Sequence, residues 1–147
     1  MVKGFLKTDK NTSELLLRIV LGAVIWPHGA QKVMGWFGGA GLQQTLATFV
    51  EMGFPPWSTV LLMITEFLGS AFLILGFFTR LWALCIGTAM TICMIKYHLP
   101  HGFFMNWFGQ QQGEGFEYHI LVLGIVVVLL FRGGGAFSLD RALTGRR

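Results

Sequence analysis

Four long apolar runs dominate this chain, and polar or glycine-rich stretches separate them. The runs cover residues 15–34, 57–78, 81–97 and 116–131. A helix that spans a bilayer takes about 20 apolar residues, with a range of roughly 17–25. The first two runs meet this length, the third lies at its lower limit, and the fourth needs an extension past Gly113 or Gly133. The pattern predicts an all-α membrane protein, a four-helix transmembrane bundle that forms one domain over residues 1–147.

The connections between the runs differ in length. The pair Thr79-Arg80 forms a minimal turn, which predicts an antiparallel hairpin of the second and third helices. In the first long connection, residues 41–52 carry apolar side chains at helical spacing, typical of a short helix on the membrane surface. The second long connection, residues 98–115, is rich in Phe and Trp. It predicts an anchor at the headgroup level or a lid over a lipid-facing cavity.

The segment after the fourth run combines glycines with a capping signal. Gly133-Gly134-Gly135 predicts a flexible break in the chain. Ser138 can then cap a short amphipathic helix over residues 139–143, because its hydroxyl can accept a hydrogen bond from the first turn.

Composition and charge placement fit a membrane protein. The chain is 54% hydrophobic and 12% charged, against about 25% charged in a typical soluble domain. Most basic residues precede the first run, follow the fourth, or lie in the turn between the second and third: Lys3, Lys7, Lys10, Arg80, Arg132, Arg141, Arg146 and Arg147. The positive-inside rule then places both termini and this turn in the cytoplasm. The net charge of +4 thus encodes orientation, and we expect no nucleic-acid partner.

A layer of ionisable residues is predicted in the outer half of the membrane. Glu66 is the one charged residue of run 57–78, and a carboxylate there costs several kcal/mol unless it is paired or hydrated. At about 1.5 Å per residue, Glu66 lies roughly 18 Å and His28 roughly 20 Å from the cytoplasmic helix ends. The same layer takes in Lys32, Lys96, His98, Glu117 and His119. Because Glu66 and His28 are deep and away from helix ends, we predict that they form a pair with coupled protonation that can move protons to or from a bound ligand.

Small residues share helix faces with these charges. In the first run the face comprises Arg18, Gly22, Ile25, Gly29 and Lys32, and in the second Glu66, Gly69, Leu73, Gly76 and Arg80. Such spacing allows close helix contact and turns the charges toward neighbouring helices rather than lipid. Arg18 lies near the cytoplasmic edge, where it can snorkel. For an ion pair of Lys32 with Glu117, a structural and a functional role are equally open.

Cysteine and histidine patterns give weaker indications. Cys85 and Cys93 lie eight residues apart without a C-x-x-C motif, and we interpret them as small core residues. His28 and His119, at matched depth, are able in principle to ligate a haem from opposite helices. Nothing else in the sequence supports a haem, so we expect neither a haem nor a metal site.

An ordered set of short motifs extends along nearly the whole chain. It consists of Arg18-x3-Gly22, His28-Gly29-x2-Lys32, Glu66-x2-Gly69, LGFFTR at 75–80, Glu117, and GGGAFSLD at 133–140. This set resembles the DoxX family of DoxX/DoxD-like small integral membrane proteins. The resemblance implies a multi-pass, four-helix protein of the bacterial inner (plasma) membrane. Relatives in the family include the DoxD-type subunit of thiosulfate:quinone oxidoreductase, which implies a protein partner in a membrane oxidoreductase complex.

The resemblance also implies a quinone site in the polar layer. Glu66 and His28 are its expected catalytic groups, and the expected cofactor-binding residues are Lys32, Glu117, His119 and Arg18. A quinone head needs hydrogen-bond donors and a proton source, which such side chains supply. The sequence shows no electron carrier, so a partner or a diffusible reductant must deliver electrons, and enzymatic activity of the chain itself stays open. The alternatives are a non-catalytic structural or assembly subunit of a larger membrane complex, and a small proton or solute pathway.

Overall fold

The computed structural model describes residues 2–8 and 10–145, with side chains from residue 4 onward, and every regular element in this part is helical. The Lys3 side chain, Arg146 and Arg147, which contribute to the predicted orientation, lie outside the described part. The elements are α1 Val2–Phe5, α2 Thr12–Met34, α3 Gly41–Glu51, α4 Pro56–Leu75, α5 Thr79–His101, α6 Glu117–Arg132 and α7 Leu139–Thr144. A 3-10 turn, Trp36–Gly38, follows α2.

Each apolar run corresponds to one long helix, with differences at the ends. Helix α4 stops at Leu75 because Gly76 takes a left-handed conformation with φ 67°. The hairpin turn therefore comprises residues 76–78, and the predicted turn pair Thr79-Arg80 instead begins α5. The expected extension of the fourth helix is absent, since α6 has 16 residues and is bounded by Phe116 and Gly133. Among the described residues, α4 and α5 are long and apolar enough to cross a membrane.

The helix face predicted in the first run, which contains Gly22 and Gly29, packs α2 against α4. A Cβ atom at Gly29 would lie 2.4 Å from the Phe67 backbone nitrogen, and one at Gly22 would lie 2.7 Å from the Ser70 carbonyl oxygen. Only glycine permits this approach. The face predicted in the second run is divided between two neighbours, because Gly69 faces the Trp82 ring of α5. A buried core fills the bundle, formed by Leu21, Ile25, Leu73, Ala83, Ile86, Val122, Val126 and Leu129.

Arg18 is buried and does not snorkel, contrary to the sequence-based prediction. It is 1% exposed, and its guanidinium donates to the backbone carbonyls of Ile74 and of the segment after α6. The distances are 2.9 Å to Gly134 O, 3.1 Å to Ala136 O and 2.9 Å to Phe137 O. A buried guanidinium needs acceptors for its five N–H groups, and four carbonyls accept hydrogen bonds from its three nitrogens.

The glycine segment 133–135 is buried and held by hydrogen bonds, so the predicted flexible break is wrong. Gly135 N donates to Thr8 Oγ1 at 2.7 Å, and Ala136 N donates to Asn11 O at 2.9 Å. A Cβ atom at Gly134 would lie 2.7 Å from Thr79 Oγ1. The glycines thus serve close packing between the two ends of the chain.

Further polar contacts stabilise the end of the bundle that contains the turn between α4 and α5. Asp140 accepts hydrogen bonds from the backbone nitrogens of Phe78 at 2.7 Å and Thr79 at 2.9 Å. Ser138 accepts from Arg141 N at 3.3 Å, which confirms the predicted cap of α7. Arg80 donates to carbonyls of residues 5, 7, 130 and 131, and Glu14 pairs with Arg132 at 3.0 Å. We call this set, with Arg18, the terminal lock.

Candidate functional site

Glu66 is buried against α2, where its partner is Lys32. The Lys32 Nζ and Glu66 Oε2 atoms lie 2.6 Å apart, and Glu66 is 4% exposed. Gly29 brings the two backbones together, and Lys32 lies three residues further along the same helix face. Oε2 nevertheless lacks a well-aligned hydrogen bond. The pair therefore combines a buried charge with spare capacity to accept a hydrogen bond.

A π-helical turn holds Glu66 in place. Residues Thr65–Gly69 form this turn within α4, and Ser70 Oγ donates to the Glu66 carbonyl. A π-turn inserts one extra residue, and single π-turns inside α-helices are frequent at functional sites. The insertion explains why Glu66 faces α2 while Gly69 faces Trp82 of α5. The predicted face assumed uninterrupted α-helical spacing.

An open cleft between α2 and α3 has Lys32 in its wall. Its volume is about 270 Å³, and it is lined by Gln31, Lys32, Gly39, Ala40, Thr45, Thr48 and Phe49. Ligand pockets usually measure about 300–1,000 Å³, so the volume of this cleft lies just below that range. A larger open cavity, about 550 Å³, lies over residues 137–142 and includes none of the predicted site residues.

Aromatic rings lie beside the α2–α4 crossing. Trp26 stacks on Phe67, the residue after Glu66, with ring centroids 5.7 Å apart. Its edge also meets Trp36, at 6.0 Å. These rings therefore provide an optical signal close to Glu66 in the chain.

The predicted pairing of Glu66 with His28 does not form. The His28 side chain is exposed, and its backbone carbonyl accepts a 3.4 Å contact from Lys32 Nζ. His28 directly precedes Gly29, so its side chain is rotated about 100° from the face that packs on α4. Two residues at the same depth make contact only if their side chains also point toward each other around the helix axes. The side chain of His28 does not point toward α4.

Glu117, another predicted site residue, anchors the aromatic loop. Its Oε1 accepts hydrogen bonds from Met105 N at 2.9 Å and from the Trp107 indole at 3.3 Å. The Glu114 carboxylate likewise accepts from Asn106 N at 2.7 Å. The loop is folded by its own polar groups, and its large aromatic side chains are exposed: Phe103, Phe104, Trp107 and Phe108. Anchoring at the headgroup level stays a prediction.

Two more predicted residues lie away from the pair. Arg18 belongs to the terminal lock, 14 residues before Lys32 and therefore roughly 21 Å along α2. Lys96 is exposed, with its Nζ 4.4 Å from the centroid of the Phe54 ring. We place neither of them in the site.

A second polar cluster joins α5 and α6. His119 is 4% exposed, its ring centroid lies 4.2 Å from that of His98, and Cys93 completes a group of three. Residues Met94–His98 form another π-turn, which brings positions five apart toward one helix face.

Of the residues in the predicted layer, the structure brings Lys32 to Glu66 and His98 to His119. His28 and Lys96 are exposed, and Glu117 binds the aromatic loop. The interpretation of Cys93 as a core residue missed its place beside the two histidines.

Comparison with known proteins gives one match. The DoxX family model matches residues 13–99, more than half of the chain, and this stretch contains both Lys32 and Glu66. No curated protein and no solved structure matches the chain.

Proposed function

The chain belongs to the DoxX family of membrane proteins, and from this membership and the Lys32–Glu66 pair we propose that it is a membrane subunit that binds the head group of a quinone. One observation carries the proposal: Lys32 contacts a buried carboxylate at 2.6 Å and also forms part of the cleft wall. We further propose that all four long helices cross the bilayer. The partner we propose is a membrane oxidoreductase complex.

The cleft offers the donors that a quinone ring requires. Lys32 Nζ donates to one ring oxygen, and the hydroxyls of Thr45 and Thr48 are available for the other. Phe49 provides an apolar wall. Because the cleft holds about 270 Å³ and is open, an isoprenoid tail lies outside it, among lipid chains. The site therefore recognises the ring and leaves tail length unrestricted.

The buried carboxylate gives the site a proton relay. A quinone, when bound, supplies a two-electron, two-proton couple. Lys32 Nζ can deliver a proton to an oxygen in the cleft, and the Glu66 carboxylate behind it can then take up a proton from water and pass it to the neutral Lys32 amine. The sequence carries no motif for an electron-carrying cofactor, so the electrons come from the partner or from a diffusible reductant.

Quinone titration of the purified chain tests this function. Tryptophan fluorescence should be quenched saturably by a short-tailed ubiquinone or menaquinone, because Trp26 stacks on Phe67, the residue after Glu66. Glu66→Gln should raise the apparent Kd at least about tenfold, equivalent to 1.4 kcal/mol. Its matched control is Glu51→Gln on the exposed face of α3, which should bind like the wild type. Absence of saturable quenching, together with absence of quinone in extracted lipid, would overturn the proposal.

A structural role is the second candidate, since Lys32 and Glu66 also link two closely packed helices. The charge-reversed double variant Lys32→Glu with Glu66→Lys separates the two functions. It keeps an ion pair between α2 and α4 but replaces the donor in the cleft with an acceptor. Quinone binding should stay lost while thermal stability recovers relative to either single variant. Recovery of both properties would favour a purely structural pair.

A further inference from the structure

We propose that Cys93, His98 and His119 form a binding site for a d10 transition-metal ion, Zn²⁺ or Cu⁺. The inference is independent of the proposed quinone function. One ligand atom from each residue lies within 4.8 Å of the others. Around tetrahedral zinc, with bonds of about 2.0–2.3 Å, ligand atoms are separated by about 3.3–3.6 Å. Small side-chain rotations that bring the three atoms inward by about 1 Å therefore close the site.

The buried histidine is the strongest indication of a ligand. His119 is 4% exposed, and its Nδ1 has no hydrogen-bond partner among the described residues. Burying a polar nitrogen without a partner is unfavourable, so buried side-chain polar atoms are usually satisfied. A metal ion bound at this nitrogen would satisfy it.

His98 is already oriented as a ligand. Its Nδ1 lies 2.9 Å from the carbonyl oxygen of Glu114. Because a carbonyl only accepts, Nδ1 carries the proton and Nε2 keeps its lone pair. Metal-binding histidines typically donate their second ring nitrogen to a carbonyl or carboxylate, which fixes tautomer and ring orientation. The folded aromatic loop, which contains Glu114, thus supports the site from outside.

The ligand types select the metal. One thiolate and two imidazoles suit Zn²⁺ or Cu⁺ and do not suit Mg²⁺ or Ca²⁺, which prefer oxygen ligands. On binding, the Cys93 thiol releases its proton, so one H⁺ leaves for each ion bound through sulfur. Three protein ligands leave one coordination position open to water or to a group from a partner.

Cobalt titration of the full chain, purified without a histidine tag, tests the site. Co²⁺ alone should bind at one ion per chain and give a thiolate-to-cobalt charge-transfer absorption that Zn²⁺ abolishes. Cys93→Ser should remove this absorption, and His119→Gln should weaken binding at least about 100-fold. The matched controls are Cys85→Ser, a half-buried cysteine of the same helix, and His28→Gln, an exposed histidine. Both should bind like the wild type.

Three results would overturn the proposal. They are no stoichiometric Co²⁺ or Zn²⁺ binding by the wild type, a charge-transfer band that persists in Cys93→Ser, and loss of the band in Cys85→Ser. The first needs no variant, so it decides the question even if a substitution unfolds the chain. If Cys93→Ser or His119→Gln unfolds the chain, His98→Gln removes the third ligand and should also weaken Co²⁺ binding. The helix content of each variant, measured by circular dichroism, shows whether that variant is folded.

Discussion

Arg18 illustrates how this chain buries a full charge against backbone carbonyls. Its three guanidinium nitrogens donate to four backbone carbonyls. Three of those carbonyls belong to residues 134, 136 and 137. The sequence showed an arginine near a helix end, for which snorkelling is the ordinary expectation. The distant glycine segment that supplies the acceptors could not be placed beside Arg18 from spacing alone.

Replacing Arg18 by lysine should destabilise the protein by about 2–4 kcal/mol, because one ammonium cannot reach the same carbonyls and leaves several buried acceptors unpaired. Thermal unfolding in detergent measures the loss. The control is Arg141→Lys, a half-buried arginine of α7, which should change the unfolding temperature little. Equal unfolding temperatures for Arg18→Lys and the wild type would contradict the terminal lock.

Glu14 should make the terminal lock sensitive to acid. Burial raises the pKa of its carboxyl, but hydrogen bonds from its backbone amide, Ser13 and Arg132, with the Arg132 charge, bring the pKa below its usual value. The resulting stabilisation is full above the unfolded pKa, about 4.3, and is lost as pH falls through the lowered folded pKa. The unfolding temperature should thus fall in this acid range, with a shallower fall in Glu14→Gln. Identical pH profiles for the two proteins would exclude this role.

At the scale of elements, the apolar runs were sufficient to predict the helices. Helix positions follow from long stretches of apolar residues and from stop signals such as Gly76. The two π-turns, Thr65–Gly69 and Met94–His98, have no comparable signature in the sequence. They change which residues share a helix face, and they set the positions of Glu66 and His98. For this reason the sequence did not predict which of the polar residues contact one another.

The contact of α2 with α4 depends on Gly29. Gly29→Ala should cost about 1–3 kcal/mol, since the added methyl group would lie 2.4 Å from Phe67 N and must push the helices apart. It should also weaken quinone binding, because the Lys32–Glu66 contact depends on this spacing. The control is Gly124→Ala on α6, where a Cβ atom meets nothing within 4 Å and alanine favours the helix. If the two variants unfold alike, the close approach of α2 and α4 is not required.

At the scale of the whole molecule, the polar groups divide between the two ends of the helices. The terminal lock joins residues 5–18 to the hairpin turn and to residues 130–140, so both described chain ends lie at the Arg80 end. The Lys32–Glu66 pair and the cysteine–histidine cluster lie toward the other end, near the two long loops. The Arg80 end of the bundle therefore stabilises the fold, and the opposite end contains the candidate functional residues.

This arrangement predicts that Lys10 and Arg80 are on one side of the membrane and Gln111 on the other. In a cysteine-free background, Lys10→Cys should resist a membrane-impermeant maleimide added outside intact cells, and Gln111→Cys should react with it. Permeabilised cells provide the labelling control for both. Labelling of both positions from outside would contradict a multi-pass protein with cytoplasmic termini, the orientation that the positive-inside rule predicts.

Photolabelling with an azido-quinone in native membranes tests the central claim most directly, because it locates the bound ring. Mass spectrometry should find the label on cleft residues, within residues 31–49, and excess unlabelled quinone should suppress it. Lys32→Gln should reduce the labelling at least about tenfold, whereas Lys96→Gln, an exposed lysine outside the cleft, should not. Label confined to other residues, such as 137–142, or label that unlabelled quinone does not displace, would contradict a quinone site at the Lys32–Glu66 pair.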